Sequence, residues 1–113
     1  MIITKIFKFD SAHKLNNYKG DCANLHGHTY TLYISVKGEV NKNGFVLDFK
    51  DLKDIVKEKV ISKLDHILIN DVIAQPTAEN ICLWIWKQLI SKLELYEIKL
   101  YETSDSYVTY RGE

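Results

Sequence analysis

Residues 28–37 read His-Thr-Tyr-Thr-Leu-Tyr-Ile-Ser-Val-Lys. The period is two: His28, Tyr30, Leu32, Ile34 and Val36 fall on one face, and Thr29, Thr31, Tyr33, Ser35 and Lys37 on the other. Successive side chains of a strand point to opposite sides, so this alternation predicts a strand with one buried face. Upstream, residues 2–9 (IITKIFKF) are β-branched and aromatic and predict another strand. Residues 10–27 between the two are irregular, with Asn16, Asn17, Gly20 and Asp21 marking a long loop. In a small domain a loop of that length usually serves function. Downstream, Asn43-Gly44 signals a turn and residues 45–47 a short strand.

Beyond residue 47 the period changes. Leu52, Ile55, Val56, Val60 and Leu64 recur at three and four, the stripe of an amphipathic helix. Asp48 suits its N-cap, and Asp51 and Asp54 place negative charge near the positive end of the helix dipole. A second helix is expected after Pro76, with Thr77 as N-cap and Ala78, Ile81, Cys82, Ile85 and Leu89 as its stripe. Two strands close the chain: Tyr96, Ile98 and Leu100 alternate with Glu97, Lys99 and Tyr101, and Asp105-Ser106 precedes a strand over 107–110. Strands and helices segregate, which predicts an α+β fold with an antiparallel sheet of about four strands and helices on one face. Such a sheet has open edges, and neutral edges invite subunit pairing.

At 113 residues the chain predicts one domain, 1–113, able to bury a modest core. Fifteen basic residues balance fifteen acidic ones, so nothing suggests a nucleic-acid binder held by phosphate contacts or a ligand of anionic membranes. Two cysteines are too few for a disulfide framework. Lys5, Lys8 and Asp10 break any signal-peptide run, and the longest apolar stretch, 81–86, is far too short to span a bilayer. The cytoplasm is the expected compartment.

The four histidines are His13, His26, His28 and His66. His26 and His28 flank Gly27 at the start of the period-two strand and project to the same face, near enough to share one ion. His13 lies on the loop leaving the first strand. If the first two strands pair, it comes back beside the other two. Three neutral imidazoles with one open position suit a catalytic Zn²⁺. Cys22, four residues before His26, has two readings. It is either a fourth ligand closing a structural zinc module, or a thiol whose pKa a nearby cation lowers, so that it acts as base or nucleophile. Cys82, on a helix stripe, reads as an inert core thiol. Asp65-His66 is either a solvated pair or a dyad in which the carboxylate fixes the imidazole tautomer. Glu102 continues the row Tyr96, Ile98, Leu100. It is either a buried carboxylate in need of a partner or an exposed residue past the strand's end. Thr77 and Glu79 can be a cap and a first-turn acid. GxSxG, GxGxxG, GxxxxGK, HExxH and CxxC are absent.

Taken together, Phe9-x3-His13, Cys22-x3-His26-Gly27-His28, Asp65-His66, Pro76-Thr77-Ala78-Glu79-Asn80 and Glu102-Thr103 resemble the 6-pyruvoyltetrahydropterin synthase / 6-carboxytetrahydropterin synthase family. The resemblance implies the tunnelling fold, a four-stranded antiparallel sheet with two helices on one face. It implies a barrel from three subunits and a hexamer from two barrels. It implies zinc on His13, His26 and His28, Cys22 as catalytic base with Asp65 and His66, and a pterin anchored by Glu102 in a pocket lined by Thr77 and Glu79. The implied substrate is 7,8-dihydroneopterin triphosphate. The queuosine branch yields 6-carboxytetrahydropterin, acetaldehyde and triphosphate; the biopterin branch eliminates triphosphate and yields 6-pyruvoyltetrahydropterin. The short chain, and Cys22 where a folate-pathway relative carries Glu, resemble the queuosine type. Departures from the family pattern are Ser11 where Ala is common, Ile69 where Leu is common, and a short 70–76 loop. No basic cluster for the triphosphate is legible.

Overall fold

The structure, a computed structural model, describes residues 1–17, 20 and 23–113. Strand β1 (Ile2–His13) and strand β2 (His26–Lys37) pair antiparallel without a register break, from Ile2 opposite Lys37 to His13 opposite His26. The alternation has its expected effect: Tyr30, Leu32, Ile34 and Val36 of β2, with Phe7 and Phe9 of β1, are buried on one face. Both strands run farther than the β-rich runs suggested, because ladder hydrogen bonds carry the pairing past residue 9 and back to residue 26. Strands β3 (Leu95–Thr103) and β4 (Ser106–Tyr110) complete a sheet of order β1-β2-β3-β4.

Helix α1 (Phe49–Val56) starts at Asp48, whose Oδ1 accepts from the Lys50 N–H at 2.8 Å. It continues through a π turn (Lys57–Ile61) and a last α turn (Ser62–Leu64). Leu52, Val56, Val60 and Leu64 are spaced by four and all fully buried. On a 3.6-residue helix a spacing of four drifts about 40° per step, and the wider π turn takes up that drift. Helix α2 (Ala78–Leu89) is capped by Thr77 Oγ1, which accepts from the Asn80 N–H at 3.1 Å, and buries Ile81, Cys82, Ile85 and Leu89. Both helices lie on the face that carries Ile34, Ile98 and Leu100. Truncating a leucine there to alanine costs about 2–5 kcal/mol. Burial pushes the Cys82 thiol up to about 12, which fits an inert core thiol.

Residues 45–47 do not form the expected strand. Asn41 Oδ1 accepts from the Asn43 and Phe45 N–H groups at 2.9 and 3.1 Å, and Phe45 O accepts from the Asn41 N–H at 2.7 Å. The turn uses the groups a ladder would need. Gly44 sits in it at φ 92°, a conformation that suits glycine.

After α1 the chain returns to the outer edge of β1. Ala12 N–H donates to Ile67 O at 3.0 Å and His66 N–H to Asp10 O at 2.6 Å. This short parallel contact covers the β1 edge only near its end. Two of the three departures from the family pattern are accommodated nearby: the Ser11 hydroxyl donates to Leu64 O, and Ile69 is fully buried. Among the described residues no helix is long and apolar enough to cross a membrane.

Candidate metal centre

The β1–β2 register puts His13 directly opposite His26, while Ser11 faces His28. His13 is therefore the last residue of β1, not a loop residue. Gly27 pairs with Ala12 in an unbroken ladder, so no bulge disturbs the shared face of His26 and His28. The three rings converge, with centroids 4.6 Å apart for His13–His26, 5.0 Å for His13–His28 and 4.8 Å for His26–His28. One ligand nitrogen from each lies within 4.8 Å of the other two.

Hydrogen bonds assign the tautomers. His13 Nδ1 lies 2.7 Å from Pro76 O, and His26 Nδ1 lies 2.6 Å from Asn24 O. A carbonyl only accepts, so both Nδ1 atoms carry the proton and, in neutral rings, both Nε2 atoms are bare. Those two bare nitrogens sit 3.0 Å apart, where neither can donate to the other. His28 Nε2 is buried with no hydrogen-bond partner among the described residues. Burial lowers the pKa of His28; the Glu102 charge opposes that and the other two imidazoles reinforce it. Zinc requires neutral imidazoles with a bare nitrogen facing it; His13 and His26 are set up that way by their Nδ1 contacts, and burial favours the neutral ring of His28, so the residues fit the metal.

Tyr30, which the sequence reading placed in the His28 row without giving it a role, backs this cluster. It is fully buried, stacks on Phe9 at 5.0 Å and brings its hydroxyl to 3.4 Å from His13 Nδ1. Burial and then the Glu102 charge push its phenol pKa up, so the hydroxyl keeps its proton. The period-two row was the available signal. The Pro76 and Asn24 carbonyls had none.

Glu102 lies on the apolar side of β3. Tyr101 pairs with Tyr107 and Thr103 with Ser106, which leaves Glu102 as the extra residue of a bulge. Its Oε1 is 3.8 Å from His28 Nε2 and its Oε2 is 4.0 Å from His13 Nε2, with the side chain 29% exposed. Thr77, Glu79 and Glu102 line one cavity of about 340 Å³ together with Leu15, Tyr107 and Val108.

Asp65 and His66 follow the last turn of α1 directly. His66 adopts φ 58°, a strained conformation for a non-glycine residue, held by the bond of its N–H to Asp10 O. Its Nδ1–H donates to Asp65 Oδ1 at 3.0 Å, and the same oxygen accepts the Asp10 N–H at 3.0 Å. The Asp10 N–H, with the His66 hydrogen bond, holds the Asp65 carboxyl below its ordinary value. Contacts between residues 55 apart left no local signal in the sequence. The exposed imidazole lines a second cavity of about 630 Å³ that also includes His28, Gly27 and Leu25. Cys22 lies outside the described residues. The lysines gather elsewhere: Lys5, Lys8, Lys53 and Lys57 line a groove of about 330 Å³ beside β1 and α1.

A family model described as 6-pyruvoyl tetrahydropterin synthase matches residues 2–113. The chain is 38% identical over 131 residues to a 6-pyruvoyl tetrahydrobiopterin synthase of Dictyostelium discoideum, covering all of this chain (100%) and 97% of the relative. It is 35% identical over 137 residues to the 6-carboxy-5,6,7,8-tetrahydropterin synthase of Haemophilus influenzae, covering 96% and 97%. The solved 6-pyruvoyl tetrahydropterin synthase of Caenorhabditis elegans superposes with a TM-score of 0.90 at 25% identity, over 100% of this chain and 96% of that one. The sheet of four antiparallel strands with its two helices is the tunnelling fold. Histidine spacing, strand register and full-length similarity agree: the chain belongs to the 6-pyruvoyl tetrahydropterin synthase family.

Proposed function

We propose that this single domain, 1–113, is a zinc-dependent 6-carboxy-5,6,7,8-tetrahydropterin synthase, a carbon–carbon lyase. It converts 7,8-dihydroneopterin triphosphate to 6-carboxytetrahydropterin, acetaldehyde and triphosphate in queuosine biosynthesis. The observation that carries this reading is the convergence of three imidazoles, with the Glu102 carboxylate 3.8 Å from His28 Nε2 and 4.0 Å from His13 Nε2.

His13, His26 and His28 would hold the zinc. Bound there, it supplies a Lewis acid that polarises the side-chain oxygens of the substrate and acidifies the adjacent carbons. Every other function falls to the chain. Glu102 accepts two adjacent N–H groups from the pyrimidine edge of the pterin, a charge-assisted pair. Thr77 and Glu79 line the same cavity and orient the ring. Cys22, as thiolate, removes a carbon-bound proton. Asp65 fixes His66 with Nδ1–H bound, so that Nε2 faces outward to return a proton. A barrel of three chains and a hexamer of two barrels is the proposed assembly, built on the free stretches of the β1 and β4 edges. Light scattering that gave only monomer at micromolar concentration would refute it. The cytoplasm is the proposed location.

Adding 7,8-dihydroneopterin triphosphate to the zinc-loaded protein and identifying products by mass tests the reading. Acetaldehyde with 6-carboxytetrahydropterin is expected. Release of 6-pyruvoyltetrahydropterin would instead support the second reading, which the Dictyostelium relative favours at 38% identity. No product, with zinc lost on replacing Cys22, would leave a structural zinc module.

A further inference from the structure

The Glu102 carboxylate has two claimants. The proposed pterin edge is one. The other is the histidine cluster itself, since its two oxygens face His28 Nε2 at 3.8 Å and His13 Nε2 at 4.0 Å. Zinc bonded to nitrogen and oxygen at ordinary lengths keeps tetrahedral ligand atoms about 3.3 Å apart. One carboxylate oxygen approaches that separation from His28 Nε2 and the other from His13 Nε2. Among the described residues no N–H or O–H donates to them, so none of these competes for their lone pairs. Glu102 is also the unpaired residue of the bulge between Tyr101 and Thr103, where the ladder does not hold the backbone in register. Ligation requires a side-chain rotation that brings one oxygen toward all three imidazoles.

We propose that Glu102 is an exchangeable fourth zinc ligand, and that the pterin's pyrimidine edge displaces it from the metal. This rests on the reading above of a zinc site beside a pterin pocket and adds to it a resting state and a trigger. Without pterin, Glu102 closes the coordination sphere, lowering its Lewis acidity and keeping it from activating water. When the ring arrives, its paired N–H donors engage both carboxylate oxygens, and the fourth position opens to the substrate side chain. One carboxylate thereby makes opening of the metal depend on recognition of the ring.

The test uses the full chain loaded with Co²⁺, whose visible spectrum reports the ligand set, and unsubstituted pterin, which has no side chain to offer the metal. In the wild type, saturating pterin should shift the cobalt spectrum. Glu102→Gln and Glu102→Ala, without pterin, should already differ from the free wild type, and chelator competition should show their zinc affinity reduced by about 10-fold or more. Identical spectra and zinc affinities in wild type and both variants, with a wild-type spectrum that ignores bound pterin, would overturn the proposal. So would an intense near-ultraviolet thiolate band that vanishes in Cys22→Ser, because it would assign the fourth position to sulfur. Metal stoichiometry and quenching of pterin fluorescence are read on the same samples. A protein that takes up no metal removes the zinc-site reading and this proposal together. A protein that binds metal and pterin but shows no spectral difference removes this proposal alone.

Discussion

The chain places histidines in two settings of opposite character. His13, His26 and His28 sit at the end of a regular hairpin, inward-facing, with His28 Nε2 buried and without a partner among the described residues. His66 stands on an irregular corner, exposed, with a carboxylate at 3.0 Å. At the first site, burial disfavours the charged form of His28, and the Nδ1 contacts of His13 and His26 leave their Nε2 atoms as the metal-facing donors. At the second, Asp65 pairs with one nitrogen of an exposed ring. Side-chain type is constant across the two places; exposure and the partner of Nδ1 decide the chemistry. The first site is rigid because strand register builds it. The second depends on a strained φ of 58° held by backbone bonds to Asp10.

Separate substitutions should break this comparison cleanly. The largest effect is expected for His26→Ala or His28→Ala, which should reduce zinc from about one per chain to none by elemental analysis. His66→Ala should leave zinc and melting temperature unchanged while turnover falls about 10²–10⁴-fold, the range for loss of a general acid or base. If His66→Ala released the metal, the two settings would not be functionally distinct. Cys22→Ala belongs with His66→Ala in this contrast and should keep its zinc while losing turnover to a similar degree. Tyr30→Phe sharpens the contrast from the other side. It removes one hydroxyl 3.4 Å from His13 and should cost no more than about 1 kcal/mol of stability by denaturant melts.

The smallest effect is a pH dependence. The Asp65 carboxyl titrates below its ordinary 3.8 in the folded chain, so folding favours its ionised form. Its contribution is fully present above 3.8 and is lost as pH falls through the lower folded value. Asp65→Asn should therefore lower melting temperature modestly at neutral pH and flatten its further loss below about pH 4, where the wild type loses the same contribution. A variant as acid-sensitive as the wild type would mean that Asp65 is not held by Asp10 and His66 in solution.

The sequence by itself determined what depends on local period. Alternation over residues 28–37 made a strand, and the same period of two put His26 and His28 on one face. Asp48 and Thr77 marked helix starts because a side-chain oxygen can satisfy a free N–H within its own turn. Glu102 was legible as an anomaly in an apolar row, yet its two readings stayed open until the bulge and the 3.8 Å approach to His28 placed it. Tertiary structure alone decided the rest. His13 meets His26 only through the hairpin register, and Pro76 and Asn24 set the tautomers through carbonyls that carry no side-chain signature. Asp65 and His66 reach β1 because residues 66–68 dock on its edge, and residues 45–47 lost a strand to the Asn41 side chain. Period and capping are properties of a few consecutive residues, whereas register, edge docking and burial are set by which distant segments share one core.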